Sequence, residues 1–285
     1  MTLHSEEKAI LITGCSSGIG LCVATQLQKR GYRVFATARK NEDVDKLTAA
    51  GLESLQLDLD DSISIQKAVQ EVLSRNNGKL YALFNNGAYA QPGAVEDLSR
   101  DCLRASFETN LFGWQELTNL VIPLMRQQGY GRIIHNSSIL GMIPFRLRGA
   151  YVATKFALEG LASTQRIELA DTNIKISLIE PGPIVSHIRE NSLIAFEKFI
   201  DYKHGAFSTE YQHVLKRLKT EGPVMKSTLP PEAVLKRVIH ALESPKPKIR
   251  YYITTPTYWI GFLRRILPYR LMDALLIKSS GGGKR

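Results

Sequence analysis

The order of apolar runs along this chain predicts a doubly wound α/β domain: a mainly parallel sheet of about seven strands with helices on both faces. Three observations predict it. Strand-length stretches at 9–13 (AILIT), 33–38 (RVFATA) and 80–85 (LYALFN) are apolar nearly throughout instead of alternating, as strands covered on both faces are. Segments of helical period separate them, which is what parallel crossovers require. A glycine cluster lies between the first strand and the first helix, at the end of the sheet where open α/β folds bind ligands.

The elements follow in order. Residues 9–13 form the first strand and 19–30 the first helix; 33–38 and 55–59 are the second and third strands. The stretch 63–73 is amphipathic, with Ile65, Ala68, Val69 and Val72 on one face. Strand 80–85 precedes one long helix over 102–127, then strand 132–136, helix 150–170, strand 175–179, a late helix at 231–244 and a last strand at 250–254. Residues 187–229 break the rhythm. Tyr211, Val214, Leu215 and Leu218 keep the spacing of one helix face, and Ile188, Leu193, Phe196, Phe199 and Ile200 form a second apolar set. Such a pair of helices over a crevice serves as a lid that lines an apolar pocket; ordinary core or subunit packing is the plainer alternative. These elements fill one domain, 6–255, leaving 256–285 as a C-terminal extension. In it Trp259, Phe262, Leu263 and Ile266 keep helical spacing, Leu271, Leu275 and Leu276 extend the apolar set, and Arg264, Arg265, Arg270 and Lys278 surround it. Pro268 predicts two short helices with a bend. A basic amphipathic segment with aromatic residues is the pattern of an interfacial helix; packing on the domain or across a homodimer also accounts for its apolar face. The last residues, Gly281-Gly282-Gly283-Lys284-Arg285, read as a polar tail.

Composition narrows the function. The chain has 285 residues, 44% hydrophobic, with 37 Lys+Arg against 27 Asp+Glu, a formal charge of +10. That excess suits a phosphorylated cofactor or an anionic membrane surface, while the scatter of the cations and the lack of any nucleic-acid module argue against nucleic acid. Cys15, Cys22 and Cys102 have neither disulfide nor zinc spacing and suit a reducing cytoplasm. The first eight residues are polar, without a signal core, and no apolar run reaches the length of a membrane span. His187, His204 and His213 have no metal-ligand spacing and read as solvated side chains; no metal site is expected.

Thr13-Gly14-Cys15-Ser16-Ser17-Gly18-Ile19-Gly20 has the composition of a phosphate loop. Glycines permit a tight turn and close approach of backbone to a pyrophosphate, and the following helix offers unpaired N–H groups and a positive dipole end. At the end of the second strand, where an NAD site places an acid on the ribose 2′-OH, this chain has Arg39-Lys40, which suits the 2′-phosphate of NADP(H). Asp58, after the third strand, is placed to accept the adenine amino group. Tyr151-Val152-Ala153-Thr154-Lys155 puts a phenol and an ammonium one turn apart on a helix. The ammonium favours the phenolate and is expected to lower the tyrosine pKa, making an acid/base for an alcohol/carbonyl couple. Ser138 ends the preceding strand, at the crevice, where a hydroxyl can donate to the substrate oxygen.

With these motifs the chain resembles the short-chain dehydrogenases/reductases of the single-domain, Rossmann-type branch. The matching residues are Thr13 to Gly20 (TGxxxGxG), Asn85-Asn86-Gly87-Ala88, Asn110, Ser138, Tyr151 and Lys155 (YxxxK) and Pro181-Gly182, in family order over roughly residues 6 to 255. The resemblance implies that Tyr151 exchanges the proton, that Lys155 holds the nicotinamide ribose and lowers the tyrosine pKa, that Ser138 orients the substrate oxygen and that Asn110 anchors a water relay. It further implies that Gly14, Ser16, Ser17, Gly18, Ile19, Gly20, Asn85, Gly87, Pro181, Ile184 and Ser186 line the cofactor. Asn85-Asn86-Gly87-Ala88 transposes the family's last two residues (NNAG), which predicts a small backbone adjustment. Thr37-Ala38-Arg39-Lys40, Glu180-Pro181-Gly182-Pro183 and the extension are similar to 17β-hydroxysteroid and retinol dehydrogenase-like enzymes and related bacterial aldehyde reductases, which act on bulky apolar alcohols, aldehydes and ketones. The rivals are a non-catalytic NADP-binding regulator, disfavoured by the complete Asn110, Ser138, Tyr151, Lys155 set, and a membrane-surface protein on the same fold.

Overall fold

A computed structural model describes residues 8–222 and 225–280; the polar tail beyond 280 and most of the N-terminal segment lie outside them. Seven parallel strands, β1 (Ala9–Ile12), β2 (Arg33–Ala38), β3 (Glu53–Gln56), β4 (Ala82–Asn85), β5 (Gly131–Asn136), β6 (Ile174–Glu180) and β7 (Arg250–Tyr252), are ordered β3-β2-β1-β4-β5-β6-β7. The chain turns back at β1, so the crevice between β1 and β4 is the switch point at which such sheets bind ligands. This is the predicted doubly wound, Rossmann-type fold.

Strand alternation supplies two cores. Ala9 and Leu11 of β1 face Ile65, Val69 and Val72 of α3 (Ser62–Arg75), Leu117 and Val121 of α5 (Gly113–Gln128) and Leu158 of α6 (Gly149–Glu168). Ile10 and Ile12 face Val23 and Leu27 of α1 (Gly18–Lys29), Leu47 of α2 (Asn41–Ala49) and Val234 and Val238 of α9 (Glu232–Glu243). The helix α2 has no counterpart in the sequence reading: of its nine residues only Leu47 is buried, so its apolar period is too weak to read.

Three boundaries differ from expectation. Pairing of β3 with β2 runs from Phe35–Glu53 to Ala38–Gln56, followed by one more bond from the Leu57 N–H to the Ala38 carbonyl at 3.0 Å, and Leu57 and Leu59 stay buried beneath α3 past the end of the strand. The last strand stops at Tyr252 because Thr254 opens the next helix. The single helix expected over 102–127 is instead α4 (Arg100–Phe107), a π-turn (Glu108–Phe112) and α5. The break ends at Gly113, where a Cβ would lie 2.1 Å from the Leu59 carbonyl oxygen, so the start of α5 presses against the segment that follows β3.

The lid segment contains α7 (Ile188–Phe199) and α8 (Ser208–Lys219). Phe196, Ile200, Tyr211, Val214 and Leu218 bury themselves against Ala94, Leu98 and Leu147, forming a small core of their own. Tyr211 ties this core to the loop before α4: its hydroxyl accepts from the Ala94 N–H at 3.0 Å and donates to Asp97. His187, His204 and His213 are exposed, and no metal-ligating cluster occurs among the described residues.

Pro268 does divide the extension, into α10 (Thr255–Ile266) and α11 (Tyr269–Ser279). Its apolar residues split between two faces. Ile260, Leu263, Leu267, Met272 and Leu276 pack on Met142 and Ile143, next to the end of β5, whereas Trp259, Phe262, Ile266, Tyr269 and Leu271 point outward. No described helix is long and apolar enough to cross a membrane.

Candidate active site

The phosphate loop is shaped by close contacts that only glycine permits. Gly14 has φ +68°, and a Cβ on it would stand 2.5 Å from the Gly87 Cα; one on Gly20 would stand 2.2 Å from the Gly14 carbonyl oxygen. Gly20→Ala is therefore expected to lower stability by about 1–3 kcal/mol, read as a fall in the urea midpoint at unchanged m. Gly87 packs on Gly14 from the other side, which gives the Gly87-Ala88 order its physical reason: the smaller residue stands where the two loops touch.

Thr13 and Asn86 hold the two loops together. The Thr13 hydroxyl accepts from the N–H groups of Asn86 and Gly87, both at 2.9 Å. The Asn86 amide donates to the carbonyls of Thr13 and Gly14 and accepts from Asn136 at 2.9 Å. Asn85, expected at the cofactor, is instead fully buried, its amide spent on Thr118 and the His135 ring. It ends β4, and its side chain turns the opposite way from that of Asn86, which reaches the phosphate loop. Ser17 takes the N-cap position of α1 with no side-chain cap bond, and no acid sits in the first turn, so the N–H groups around Gly18, Ile19 and Gly20 keep their affinity for an anion.

Arg39 and Lys40 follow β2 and are exposed, and neither enters an ion pair among the described residues. The Arg39 carbonyl accepts from Gln56, fixing the backbone there. Asp58 is half-buried and its carboxylate accepts the Asp60 N–H at 3.1 Å, the bond of an ordinary turn. Pro181, buried at the end of β6, accepts from Ile139 N–H at 2.9 Å, and Ile184 pairs in register with Leu229. The loop returns Ser186 to the phosphate loop, where a Cβ on Gly18 would come within 3.0 Å of the Ser186 Cβ.

Asn110 lies in the π-turn, fully buried, and clamps Tyr89 by both ends of its amide: it accepts from Tyr89 N–H at 3.1 Å and donates to Tyr89 C=O at 2.8 Å. Ser138, Tyr151 and Lys155 come together in the structure. Ser138 stands close enough to the Tyr151 phenol to favour its ionised form. The Lys155 amine donates to the Asn136 carbonyl at 2.9 Å, lies 4.1 Å from the centre of the Trp114 ring and 5.6 Å from that of Tyr151. The electrostatics depart from expectation. Burial pushes the phenol up to about 12, against the effect of Ser138, and pulls Lys155 down to about 7, against the charge of Glu159. Desolvation disfavours both charged forms, and here it outweighs the expected help of the ammonium.

Thr13, Asn86 and Trp114 were missed as site residues. Thr13 and Asn86 lie inside the motifs read from the sequence, but a hydroxyl or amide that braces backbone leaves no periodic signal. Trp114, whose indole also donates to the Gly87 carbonyl at 2.7 Å, has none at all.

Comparison with known proteins agrees with this geometry. The family model described as short chain dehydrogenase matches residues 8–194. The chain is 38% identical over 270 residues to the oxidoreductase YbbO of Escherichia coli strain K12, covering 95% of this chain and 94% of that one. It is 33% identical over 263 residues to human retinol dehydrogenase 8, covering 87% and 82%. A solved short-chain dehydrogenase from Streptomyces avermitilis superposes with a TM-score of 0.76 at 29% identity, covering 100% of both chains. The chain belongs to the short-chain dehydrogenase/reductase family, whose chemistry is NAD(P)(H)-dependent oxidoreduction at a tyrosine-containing site.

Proposed function

We propose that this protein transfers a hydride between NADP(H) and the alcohol/carbonyl carbon of an apolar substrate, an aldehyde or ketone of retinoid- or steroid-like character. The convergence of Ser138, Tyr151 and Lys155 at the carboxyl ends of β5 and β6, beside the glycine loop, carries this reading. The uncapped start of α1 suits the pyrophosphate, and Arg39 and Lys40 suit the 2′-phosphate; Gly14, Ser16, Ser17, Gly18, Ile19, Gly20, Asp58, Gly87, Pro181, Ile184 and Ser186 complete the proposed cradle. When bound, the nicotinamide supplies or accepts the hydride. In reduction Ser138 donates to the carbonyl oxygen, Tyr151 gives that oxygen its proton, and the ammonium of Lys155 steadies the resulting phenolate and holds the ribose hydroxyls. Asn110, committed to Tyr89, braces the loop beneath α6. The apolar clusters at Met142 and Ile143, under the extension, and at Ala94 with α7 and α8 are the surfaces that would favour an apolar substrate. Residues 6–255 form the catalytic domain in this reading, with 187–229 as its lid. Its likeness to retinol dehydrogenase 8 supports placing it with retinol and 17β-hydroxysteroid dehydrogenase-like enzymes. Loss of NADPH absorbance with retinal, ketosteroids and medium-chain aldehydes tests it; no turnover across the panel overturns it.

The extension supports a second reading, peripheral attachment to an anionic membrane from the cytoplasmic side. Trp259 is 61% and Tyr269 90% exposed, beside exposed Phe262, Ile266 and Leu271. Arg264, Arg265, Arg270 and Lys278 flank them, exposed, with Asp273 the one acid in α10 and α11. Each cation near an anionic bilayer contributes about 1 kcal/mol, and the aromatic face supplies the apolar anchor. The protein is expected to float with phosphatidylglycerol vesicles and not with phosphatidylcholine, and Trp259→Glu with Phe262→Glu to abolish flotation. Protein that stays unbound and sediments as a dimer, reverting to monomer in the double variant, makes this face a dimer seam instead.

A further inference from the structure

One helical turn beyond Lys155 the fold buries a set of charges that the reaction as proposed leaves unused. Glu159 shares the face of α6 that carries Tyr151 and Lys155 and is 7% exposed. Its Oε1 accepts a 2.5 Å hydrogen bond from the hydroxyl of Ser137, the neighbour of Ser138, and its Oε2 meets the Arg250 guanidinium. The same Arg250 nitrogen binds Oε1 of Glu180, the fully buried last residue of β6, whose Oε2 has no partner. Gly141 closes over the group: a Cβ there would lie 2.8 Å from the Ser137 oxygen and 3.0 Å from the Glu159 Cγ. One guanidinium thus faces two buried carboxylates. Stability alone does not call for such a cluster, because well-packed apolar side chains of similar volume often replace buried ion pairs without loss.

We propose that Glu159 is a positioning residue for the reaction: fixed by Ser137 and Arg250, it acts through Lys155 and holds that buried amine in its ammonium form. The inference rests on the reading that Lys155 serves Tyr151.

The groups facing Lys155 are few. Tyr151 and Glu159 come from α6 itself. From β5 come the Asn136 carbonyl and His135, which burial and the Lys155 charge pull down to about 3, so it stays neutral. Trp114 of α5 offers the face of its ring. Glu180 of β6 and Arg250 of β7 lie on the far side of Glu159. Burial lowers the amine's affinity for its proton, and Glu159 restores part of it. Burial and then the charge of Glu159 push the Glu180 carboxyl up, against Arg250. Glu159 is therefore the carboxylate one turn from Lys155, while Glu180 lies beyond it, on the far side of Arg250.

The test follows the Lys155 ε-carbon by NMR in lysine-labelled protein without nucleotide, Lys155→Arg assigning the resonance, beside the pH profile of NADPH-dependent carbonyl reduction. In Glu159→Gln the Lys155 midpoint is expected to fall by about one pH unit, and the alkaline limb of kcat to move down with it. Glu159→Asp, which keeps the charge one methylene farther back, shifts both less and in the same direction. Glu180→Gln leaves the midpoint close to wild type even if its melting temperature changes. A midpoint unmoved in Glu159→Gln, or moved equally in Glu180→Gln, overturns the proposal and makes the cluster scaffolding. Should Glu159→Gln not fold, an unmoved midpoint in Glu159→Asp does the same. A wild-type protein that reduces no carbonyl sinks the proposed activity, and the NMR midpoints still decide the role of Glu159.

Discussion

Tyr151→Phe is expected to lower kcat for carbonyl reduction by about 100-fold to 10,000-fold, the range a positioned general acid supplies, while NADPH affinity stays within about two-fold of wild type. The substitution removes one oxygen from a side chain already 7% exposed, so the ring continues to pack and Lys155 keeps its bond to the Asn136 carbonyl. What is lost is the proton and the hydroxyl beside Ser138. Steady-state assays beside fluorescence titration with NADPH separate the two effects. The pH profile sharpens the assignment. Burial holds the phenol near 12, so Tyr151 remains a protonated donor throughout the neutral range. The alkaline fall in reductase rate then belongs to Lys155, which loses its proton as pH rises through about 7. Activity of the Phe variant within a few-fold of wild type would mean that the proton comes from elsewhere and would overturn the role given to Tyr151.

How much of this was legible in the sequence follows from which interactions leave a pattern. The strands buried on both faces and the helices with one strongly apolar face, such as α3 and α8, announce themselves by period, and the phosphate loop and the Tyr151–Lys155 pair by spacing. The π-turn at Asn110 did not, because the apolar period continues smoothly from 102 to 127, and the close contact at its end, the Leu59 carbonyl against Gly113, lies across the fold. Asn85 and Asn86 are adjacent and identical in type, and only the pleat of β4 decides which reaches the crevice. The tail shows the same limit differently. Its apolar residues were legible, but not their division into an inner face on Met142 and Ile143 and an outer face led by Trp259, which depends on what each helix packs against. The balance of desolvation against charge at Tyr151 depends on burial that no spacing reports.

Arg39→Asp is expected to lower the ratio of kcat/KM for NADPH to that for NADH by about 100-fold, since a charge-assisted hydrogen bond contributes about 1.5–3 kcal/mol and a like charge then takes its place. The position makes the change clean. Arg39 follows the last paired residue of β2, its side chain exposed, and its backbone held through the Gln56 amide, a contact the substitution keeps. The end of β2 is also tied to the phosphate loop, where the Cys15 N–H donates to the Thr37 carbonyl at 2.8 Å, so a charge at 39 stands beside the cradle and not out on a mobile arm. Arg39 lies near enough to Asp60 to favour its ionised form, and that is the competing use of its charge. The two uses predict different outcomes. If Arg39 serves the 2′-phosphate, the variant loses NADPH efficiency through KM with little change in kcat, NADH is affected far less, and melting temperature is nearly unchanged. If it serves Asp60, the cofactor ratio is unmoved and thermal stability falls instead, which removes Arg39 from the cofactor site and leaves Lys40 as the remaining cation for the phosphate.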